Sequence, residues 1–408
     1  MLAVGSSAGM LDSIHNPDVS DDAPLPTAKE LPRNLLYSIA ADIGGIGLPM
    51  TAIEGLRASH RNGFLGKAIA YGIHQDEIPR KKIRSLKRHP VRLLANFNRD
   101  TYYGARKQYL DWITSRELGR GDYDCFHGWS GDSLRTLIRA RQKDVPSMIE
   151  IPTWHRNKFK TKTFYTFSER NREDTWKTSM YLTRQQQVSE YRLADLILVQ
   201  SEKSAESFLH DGVDPKRIFL VARGVDPEQF RPSTPPPFLR LIFVGALIKR
   251  KGVHHLLKAW HSLNLKDAEL VLAGNVHNEI KPYLDQYKTD SVKLPGFVSN
   301  IRDLLETSSA FVFTSECEGS AKATYEAAAC ALPQITTKES GDVVEDGVNG
   351  IVIPANDPDA LAEAIKHFHT HPEILPEMAK AARRRILEKY TWDHHRRRLV
   401  HAYAWLMR

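Results

Sequence analysis

Short apolar segments alternate with longer amphipathic segments along nearly the whole chain. The apolar segments are rich in β-branched residues and apolar on both faces, as strands buried inside a parallel sheet are. In the first half this pattern predicts strands at 34–40, 67–73, 123–127, 147–151, 196–199 and 217–221. In the second half it predicts strands at 239–244, 269–273, 291–294, 310–314, 334–337 and 350–353. Helical patterns separate most of them, so the sequence predicts an α/β protein with two doubly wound domains.

A proline-rich segment, RPSTPPP, separates the two halves, and such a composition is typical of a semi-rigid interdomain linker. Leu399, Tyr403 and Leu406 recur at helical spacing near the end of the chain, which predicts a closing helix that packs on the first domain. The predicted organisation is, in order, a flexible arm at 1–33, a first domain at 34–230, the linker at 231–237, a second domain at 238–390 and the closing helix at 391–408.

Composition narrows the class of protein. The net charge of +8, from 57 Lys and Arg against 49 Asp and Glu, permits an anionic substrate or membrane surface but does not indicate nucleic acid. Three cysteines without a CxxC pair argue against a disulfide framework and favour a reducing cytosol. No apolar run approaches the roughly 18 residues needed to span a bilayer. We therefore expect a cytoplasmic protein with no nucleic-acid partner.

The loop after the strand at 239–244 is basic and bounded by glycines. It reads GALIKRKGV, from Gly245 to Val253. A helix starting near Val253 places free backbone N–H groups and a positive dipole end beside Arg250 and Lys251. A solvated basic turn would explain KRK alone, but the flanking glycines directly after a buried strand favour a phosphate site.

The loop after the strand at 310–314 carries two carboxylates eight residues apart. Glu318 lies on the loop, and Glu326 lies inside a predicted helix at 321–331, among alanines that we expect to be buried. A buried acid requires a partner, and carboxylates accept paired hydrogen bonds from vicinal hydroxyls of ribose or sugar rings. Gly319 and its small neighbours allow a ligand to approach the chain closely.

The first domain has a glycine-rich turn after its first strand, formed by Gly44, Gly45 and Gly47. Met50 occupies the last position of an otherwise GxGxxG-like pattern, so a loop that approaches a second ligand is favoured over a dinucleotide site. His127 and His155 follow predicted strands, where ligands bind in open α/β sheets. For a single histidine, a core or surface position is the usual alternative.

Two DxD strings, at 122–124 and 357–359, match a metal-binding pattern. The first precedes a strand, away from the ligand edge, and the second starts a helix, where acids favour the N-terminus. We therefore predict no catalytic metal and no cofactor.

Three blocks of sequence together resemble the retaining glycosyltransferases of family 4, which have the GT-B fold and include glycogen-synthase-like and mannosyltransferase-like enzymes. The blocks are FVGALIKRKGVHHLLKAW at 243–260, the segment from LPGFVSN to QITT at 294–337, and GDVVEDGVNG to ALAEAI at 341–365. The resemblance covers most of 34–390. It implies two Rossmann-like domains facing across a cleft, with the second domain binding a nucleotide-sugar donor.

The resemblance also implies roles for individual residues. Glu326 would hold the ribose hydroxyls, Glu318 would lie near the donor sugar, and Lys251 with Arg250 would neutralise the diphosphate. The remaining expected donor contacts are Gly245 in the phosphate loop, Gly296, Phe297 and Val298 beside the base, and Gly319, Ser320 and Ala321 beside the sugar. His127 matches a catalytic histidine of the family, and Gly44, Gly45, Gly47 and His155 fall on the acceptor side.

The chain departs from the family pattern at three positions. Ala246 stands where an arginine is common, with Arg250 as its possible replacement, and Ser320-Ala321 stands where an aromatic-glycine pair is common. Trp129 occupies the second histidine position of a frequent HxH.

The expected reaction is metal-independent, retaining transfer from a UDP- or GDP-sugar to a hydroxyl of a glycan, lipid-linked or small acceptor, as in polysaccharide biosynthesis. The departures leave open a GT-B sugar-nucleotide epimerase and a non-catalytic nucleotide-sugar or polyanion-binding protein. A phosphorylase would require a pyridoxal-phosphate lysine that no segment indicates. A dinucleotide oxidoreductase is least favoured.

One basic segment lies outside these motifs. RKKIRSLKRHPVR, at 80–92, carries seven Lys or Arg and no acid. A solvated basic face is the ordinary interpretation. The functional interpretation is peripheral contact with an anionic cytoplasmic membrane face or an acidic acceptor, because each basic residue near such a surface contributes about 1 kcal/mol.

Overall fold

The computed structural model describes residues 14, 23–44, 47–96, 99–155 and 184–408. The chain forms two compact units. Unit 1 comprises Met1–Ala222 with His395–Arg408, and unit 2 comprises Arg223–His394. Most of the predicted N-terminal arm lies outside the described residues, as does Gly45.

Unit 1 contains a seven-stranded parallel sheet in the order β3-β2-β1-β4-β5-β6-β7. Its strands are β1 Leu35–Ser38, β2 Leu65–Ala70, β3 Ile83–Ser85, β4 Cys125–Trp129, β5 Ser147–Glu150, β6 Leu196–Val199 and β7 Ile218–Leu220. Its helices before the crossover to unit 2 are α1 Leu48–Arg61, α2 Arg99–Arg120, α3 Leu134–Gln142, α4 Arg184–Leu193 and α5 Glu202–Leu209. Separate apolar clusters cover the two faces of the sheet, as the two-sided apolar strands require.

Unit 2 contains a six-stranded parallel sheet in the order β10-β9-β8-β11-β12-β13. Its strands are β8 Leu239–Val244, β9 Ala268–Ala273, β10 Val292–Gly296, β11 Ala310–Phe313, β12 Gln334–Thr337 and β13 Gly350–Ile353. Its helices are α6 Val253–Leu263, α7 Lys281–Tyr287, α8 Arg302–Glu306, α9 Lys322–Ala329, α10 Pro358–Thr370 and α11 Leu375–Lys389. The central strands β8 and β11 pair directly, so their carboxyl-terminal loops emerge side by side. The prediction of two doubly wound parallel sheets is confirmed.

The last helix, α12 Trp392–Leu406, joins unit 1. Leu399, Val400 and Tyr403 lie in the same apolar cluster as Leu35 and Leu56.

The units divide at Ala222, ahead of the proline-rich segment at 231–237. The residues that follow Ala222 form hydrogen bonds with other residues of unit 2. The Val225 N–H donates to the Tyr390 carbonyl, and the Arg383 guanidinium donates to the carbonyls of Pro227 and Phe230. The sequence analysis placed the domain boundary later, at 231–237. These contacts join residues about 150 positions apart, and the local sequence pattern does not reveal them.

Strand β3 is an element that the sequence pattern did not predict. It is a three-residue edge strand inside the basic segment 80–92, and only Ile83 of its residues is buried. The flanking residues form short 3₁₀ helices at Arg80–Lys82 and Pro90–Asn96. No helix in the part of the chain that the structure describes is long and apolar enough to cross a membrane.

Candidate functional site

The loop between β8 and α6 folds back on itself through two glycines. Gly245 and Gly252 have φ angles of 150° and 73°, and a Cβ at Gly252 would lie 2.2 Å from the Thr314 carbonyl oxygen. A 3₁₀ turn at Lys249–Lys251 separates them. A Cβ at Gly245 would lie 2.9 Å from Lys251 Nζ, so the turn returns this ammonium to the end of the strand.

Two cations and one carboxylate meet where the β8 and β11 loops emerge. Arg250 donates to Glu318 Oε1 at 2.9 Å and also to the Cys317 carbonyl, and Lys251 Nζ lies 3.6 Å from the same Glu318 oxygen. Lys251 also lies 5.0 Å from the centroid of the Phe313 ring. Burial lowers the pKa of Lys251 below the ordinary lysine value, and Glu318 opposes this shift. The structure therefore brings together Arg250, Lys251 and Glu318.

Glu326 lies in the second turn of α9 and is 3% exposed. Its carboxylate pairs with the ammonium of Lys322, one helical turn earlier. Lys322 is more exposed, so the buried acid is neutralised from the solvent side. The sequence expectation of a buried acid with a partner is therefore met by a residue that the sequence analysis had not named.

The segment between Glu318 and Ala321 is held by the loop after β12. The Glu318 N–H donates to the Glu339 carbonyl at 3.0 Å, and the Ala321 N–H donates to the Ser340 carbonyl at 2.8 Å. Ser320 Oγ pairs with the Tyr325 hydroxyl at 2.7 Å. Ser320, which stands where an aromatic residue is common in the family, thus forms a hydrogen bond within the protein through its hydroxyl.

Glycines also pack the ends of the neighbouring strands closely. The Gly274 N–H donates to the Gly296 carbonyl at 2.8 Å, and a Cβ at Gly274 would lie 1.9 Å from the Gly245 carbonyl oxygen. Gly296 has a φ of 75°, and the Phe297 side chain that follows it is 68% exposed. Gly245, Gly296 and Phe297 therefore lie along the carboxyl edge of the sheet, and Val298 follows in the same loop. Their donor contacts remain predictions.

Three further ionisable residues adjoin these loops and were missed by the sequence analysis. Burial raises the pKa of Glu316 to about 7, with Glu279 adding repulsion and Arg250 opposing it. Burial lowers the pKa of His254 to about 4, assisted by His255 and Lys249. The sequence feature that could have indicated these residues is the pair His254-His255, directly after the basic turn at 249–251.

His127 lies inside unit 1. Strand β4 runs two residues further than predicted, to Trp129, so His127 is its middle residue. The imidazole has no exposed surface; Nδ1 lies 2.6 Å from the Tyr403 hydroxyl, and Nε2 lies 3.1 Å from Glu150 Oε1. This burial does not support the predicted catalytic contact.

His155 is also a core residue. It is 1% exposed, and its ring packs against Tyr191 and Phe208. Its Nε2 lies 3.5 Å from Asp211. This burial does not support the predicted acceptor contact.

Gly44 and Gly47 both adopt left-handed backbone, with φ angles of 83° and 85°. A Cβ at Gly44 would lie 2.1 Å from the His74 carbonyl oxygen. Gly47 caps α1, and the predicted acceptor roles of both glycines remain predictions.

Two buried acids lie beyond the carboxyl ends of β1 and β4, and no sequence pattern indicated them. Asp132 Oδ2 accepts from the Ala40 N–H at 3.0 Å, and Glu190 accepts from the N–H groups of Gly131 and Ser133. Burial raises the pKa of Asp132 to about 7 and that of Glu190 to about 8. These carboxyls hold the loops that follow the two central strands of unit 1.

The DxD strings have local structural partners. Asp124 accepts from the N–H groups of Arg33 and Asn34, at the amino end of the strands. Asp357 caps α10 by accepting from Asp359 and Ala360.

Family models match both halves of the chain. Residues 226–385 match the model described as glycosyl transferases group 1, and residues 69–229 match that of glycosyltransferase family 4. The chain belongs to the GT-B glycosyltransferases of the family 4 type.

Relatives and solved structures agree with this placement. Alpha-maltose-1-phosphate synthase of Mycolicibacterium smegmatis is 27% identical over 49% of this chain and 60% of its own length. The putative colanic acid biosynthesis glycosyltransferase WcaL of Salmonella typhimurium is 26% identical over 54% of this chain and 59% of its own length. The chain therefore spans about three fifths of the length of these curated relatives.

Among solved structures, sucrose-phosphate synthase from Thermosynechococcus elongatus has a TM-score of 0.67 at 17% identity, covering 89% of this chain and 96% of its own. Anabaena Alr3699/HepE, solved in complex with UDP-glucose, has a TM-score of 0.64 at 16% identity, covering 90% of this chain and 98% of its own. These similarities show that the chain shares their fold.

Proposed function

We propose that unit 2 binds a nucleotide-diphosphate sugar and that the enzyme transfers the sugar, with retention of configuration, to a hydroxyl acceptor. The observation that carries this proposal is the meeting of Arg250, Lys251 and Glu318 where β8 and β11 end. A diphosphate would compete for the two cations that Glu318 holds, and Glu318 would then face the sugar hydroxyls. Glu326 would accept hydrogen bonds from the ribose, since it is buried on the adjoining helix.

The bond changes are those of a glycosyl transfer. The bond between the anomeric carbon and the diphosphate oxygen breaks, and negative charge develops on the departing diphosphate. Arg250 and Lys251 are fixed before reaction and stabilise this charge. The acceptor oxygen bonds to the anomeric carbon from the face that the leaving group vacates. Its proton passes to the leaving phosphate oxygen, and the nucleoside diphosphate dissociates.

We propose UDP as the nucleotide. The support is that Anabaena Alr3699/HepE, which shares the fold, was solved with UDP and with UDP-glucose. Calorimetric titration with UDP, GDP and ADP, followed by the corresponding sugar nucleotides, tests the choice. We expect UDP to bind most tightly; stronger binding of GDP would contradict the assignment.

We further propose that transfer needs no metal ion, because Arg250 and Lys251 already supply positive charge at the diphosphate. The value of kcat at saturating donor should be the same with and without EDTA. A loss that Mg²⁺ or Mn²⁺ restores would refute this. Retention is tested by NMR of the product, whose new linkage should keep the anomeric configuration of the donor.

Two other activities remain candidates because Ala246 and Ser320-Ala321 depart from the family pattern. A non-catalytic binding protein would bind UDP-sugar but would release no UDP, whichever acceptor is supplied. An epimerase would convert the sugar nucleotide without an acceptor. Chromatography of UDP-sugar incubations, with and without a panel of hydroxyl acceptors, separates these outcomes from transfer.

We also propose a cytoplasmic location and peripheral contact with an anionic membrane through the segment 80–92. Lys81, Arg84, Lys87 and Arg88 are exposed on it. Leu93, directly beyond it, is 75% exposed and adds an apolar side chain beside the charges. Basic residues with an exposed apolar neighbour suit the interface of an anionic bilayer.

A further inference from the structure

Two histidines and one glutamate meet beside the loops described above. His254 and His255 lie in the first turn of α6, and Glu316 lies in the loop between β11 and α9. The imidazole ring centroids are 3.8 Å apart, with an angle of 40° between the planes. One possible ligand atom from each of the three residues lies within 4.8 Å of the others.

One polar atom of this cluster is buried without a hydrogen-bond partner. It is His254 Nδ1, with which none of the described residues forms a hydrogen bond. Beside it, Glu316 is only 8% exposed. Burying polar groups unpaired is unfavourable, and a buried carboxylate in particular requires a cation or donors. This arrangement therefore points to a positively charged ligand.

The neighbouring cationic side chains have partners outside this cluster, although the charge of Arg250 also acts on the Glu316 carboxyl. Lys249 Nζ lies 5.0 Å from the centroid of the Tyr283 ring, and Arg250 pairs with Glu318. Glu279 lies near Glu316, where its charge acts on that carboxyl, and adds negative charge to the neighbourhood. Lys258 and Asp357 flank His255 with opposite charges.

We propose that His254, His255 and Glu316 form a binding site for a divalent transition-metal ion of the zinc type. Imidazole nitrogens suit zinc, copper and nickel, whereas Mg²⁺ and Ca²⁺ favour sites made of oxygen ligands alone. Two histidines and one carboxylate are an established ligand set for zinc that leaves one coordination position open. Zn–N bonds of about 2.0–2.1 Å bring tetrahedral ligand atoms to roughly 3.4 Å from one another, so closure requires only small side-chain rotations.

The site has a hydrogen-bonded second layer. His255 pairs with the Asn356 side chain, which fixes the orientation of one ligand ring. The Glu316 N–H donates to the Arg250 carbonyl at 2.9 Å. An ion bound to Glu316 and the two histidines would therefore join the β8 loop to the β11 loop. It would alter the affinity of the donor loops without entering the transfer chemistry.

Metal binding can be measured without any donor or acceptor. Untagged full-length protein, stripped with chelator, is titrated with Zn²⁺ by calorimetry and with Co²⁺ by visible absorption. We expect one equivalent to bind, with Co²⁺ bands of a four- or five-coordinate site. Glu316→Gln and His255→Ala should each weaken this binding by at least tenfold, in line with the effect of losing metal-site residues.

His261→Ala is the matched control, since His261 lies on the same helix and is exposed. It should bind Zn²⁺ like the wild type, and circular dichroism verifies folding of each variant. The site is overturned if no single equivalent binds, or if Glu316→Gln and His255→Ala bind as tightly as the His261→Ala control. Preferred binding of Mg²⁺ over Zn²⁺ would overturn the metal class. Unchanged UDP affinity in saturating Zn²⁺ would overturn the coupling to the donor loops.

Discussion

Glu326 is buried, and its carboxylate pairs with the ammonium of the more exposed Lys322. Replacing the acid removes a charged hydrogen-bond acceptor from the proposed ribose site. We predict that Glu326→Ala weakens UDP binding by about 1.5–3 kcal/mol, which is roughly a ten- to hundredfold rise in Kd. Titration calorimetry with UDP measures the change.

Glu326→Gln keeps the side-chain volume and should shift the affinity in the same direction by less. Glu363→Ala, on the exposed side of α10, is the control and should bind UDP normally. Wild-type affinity in a folded Glu326→Ala protein would remove Glu326 from the donor site.

At the residue scale, the sequence predicts which residues lie together when this depends only on the order of the loops. It does not predict contacts that depend on the direction in which a side chain points. Arg250, Lys251 and Glu318 follow adjacent central strands, so the order of elements alone placed them together. His127 was expected at a strand end, but its strand runs two residues further and its ring faces the interior. Asp132 and Glu190 could not be predicted, since their partners are backbone N–H groups brought near by the fold.

Helix α12 carries the partner of the His127 ring. The Tyr403 hydroxyl lies 2.6 Å from His127 Nδ1 in a fully buried contact. Tyr403→Phe removes the hydroxyl and leaves that nitrogen without its partner, which costs about 1–3 kcal/mol. We predict a lower free energy of unfolding in urea and unchanged UDP affinity.

Tyr103→Phe is a suitable comparison, because Tyr103 belongs to the same unit and is exposed. If Tyr403→Phe and Tyr103→Phe unfold at the same urea concentration, the buried contact does not stabilise the unit.

The loops after β1 and β4 are joined through Asp132, a carboxyl whose pKa burial raises. The pKa of Asp132 is raised to about 7, with Lys107 opposing and Asp111 adding to the shift, whereas an unfolded aspartate titrates near about 3.9. Between these values the folded state holds a proton that the unfolded state has released. The free energy of unfolding should therefore fall as pH rises from about 4 to about 7, by at most about 1.4 kcal/mol per pH unit from this group.

Urea unfolding across this pH range measures the slope. Asp132→Asn should flatten it, since the amide does not titrate, and Asp122→Asn at an exposed position should not. Equal slopes in Asp132→Asn and the wild type would show that Asp132 does not titrate in this window.

At the element scale, twelve strands of the described residues coincide with predicted apolar segments, and most of these strands are largely buried. Strand β3 was not predicted, because a three-residue edge strand with one buried side chain has no periodicity to detect. Its pairing with β2, from Ala68 to Ala70, comes from the tertiary structure. The same pairing fixes the basic segment on one edge of unit 1.

At the scale of the whole molecule, the segment 80–92 brings seven Lys or Arg and no acid to that edge. If the segment 80–92 contacts an anionic bilayer, four charge reversals should abolish the attraction, because each basic residue contributes about 1 kcal/mol near such a surface. We predict that the protein co-sediments with liposomes containing phosphatidylserine and not with neutral ones. Binding should weaken at high salt.

The test variant changes Lys81, Lys82, Lys87 and Arg88 to Glu. A variant with four exposed positions of unit 2 changed to Glu, namely Lys366, Lys380, Arg384 and Lys389, alters the net charge equally. Loss of binding in the first variant alone supports a specific surface. Equal loss in both variants, or no binding by the wild type, leaves the segment as an ordinary solvated face.

Unit 1 is built from two separate stretches of chain, and this affects the order in which the protein matures on the ribosome. Leu399, Val400 and Tyr403 belong to the apolar cluster that covers one face of its sheet, yet they are translated after all of unit 2. The nascent first unit must therefore wait, with that part of the face uncovered, while about 170 further residues are synthesised; domains otherwise fold in order from the N-terminus. Unit 2 has no such delay, so the later-translated unit can finish folding first.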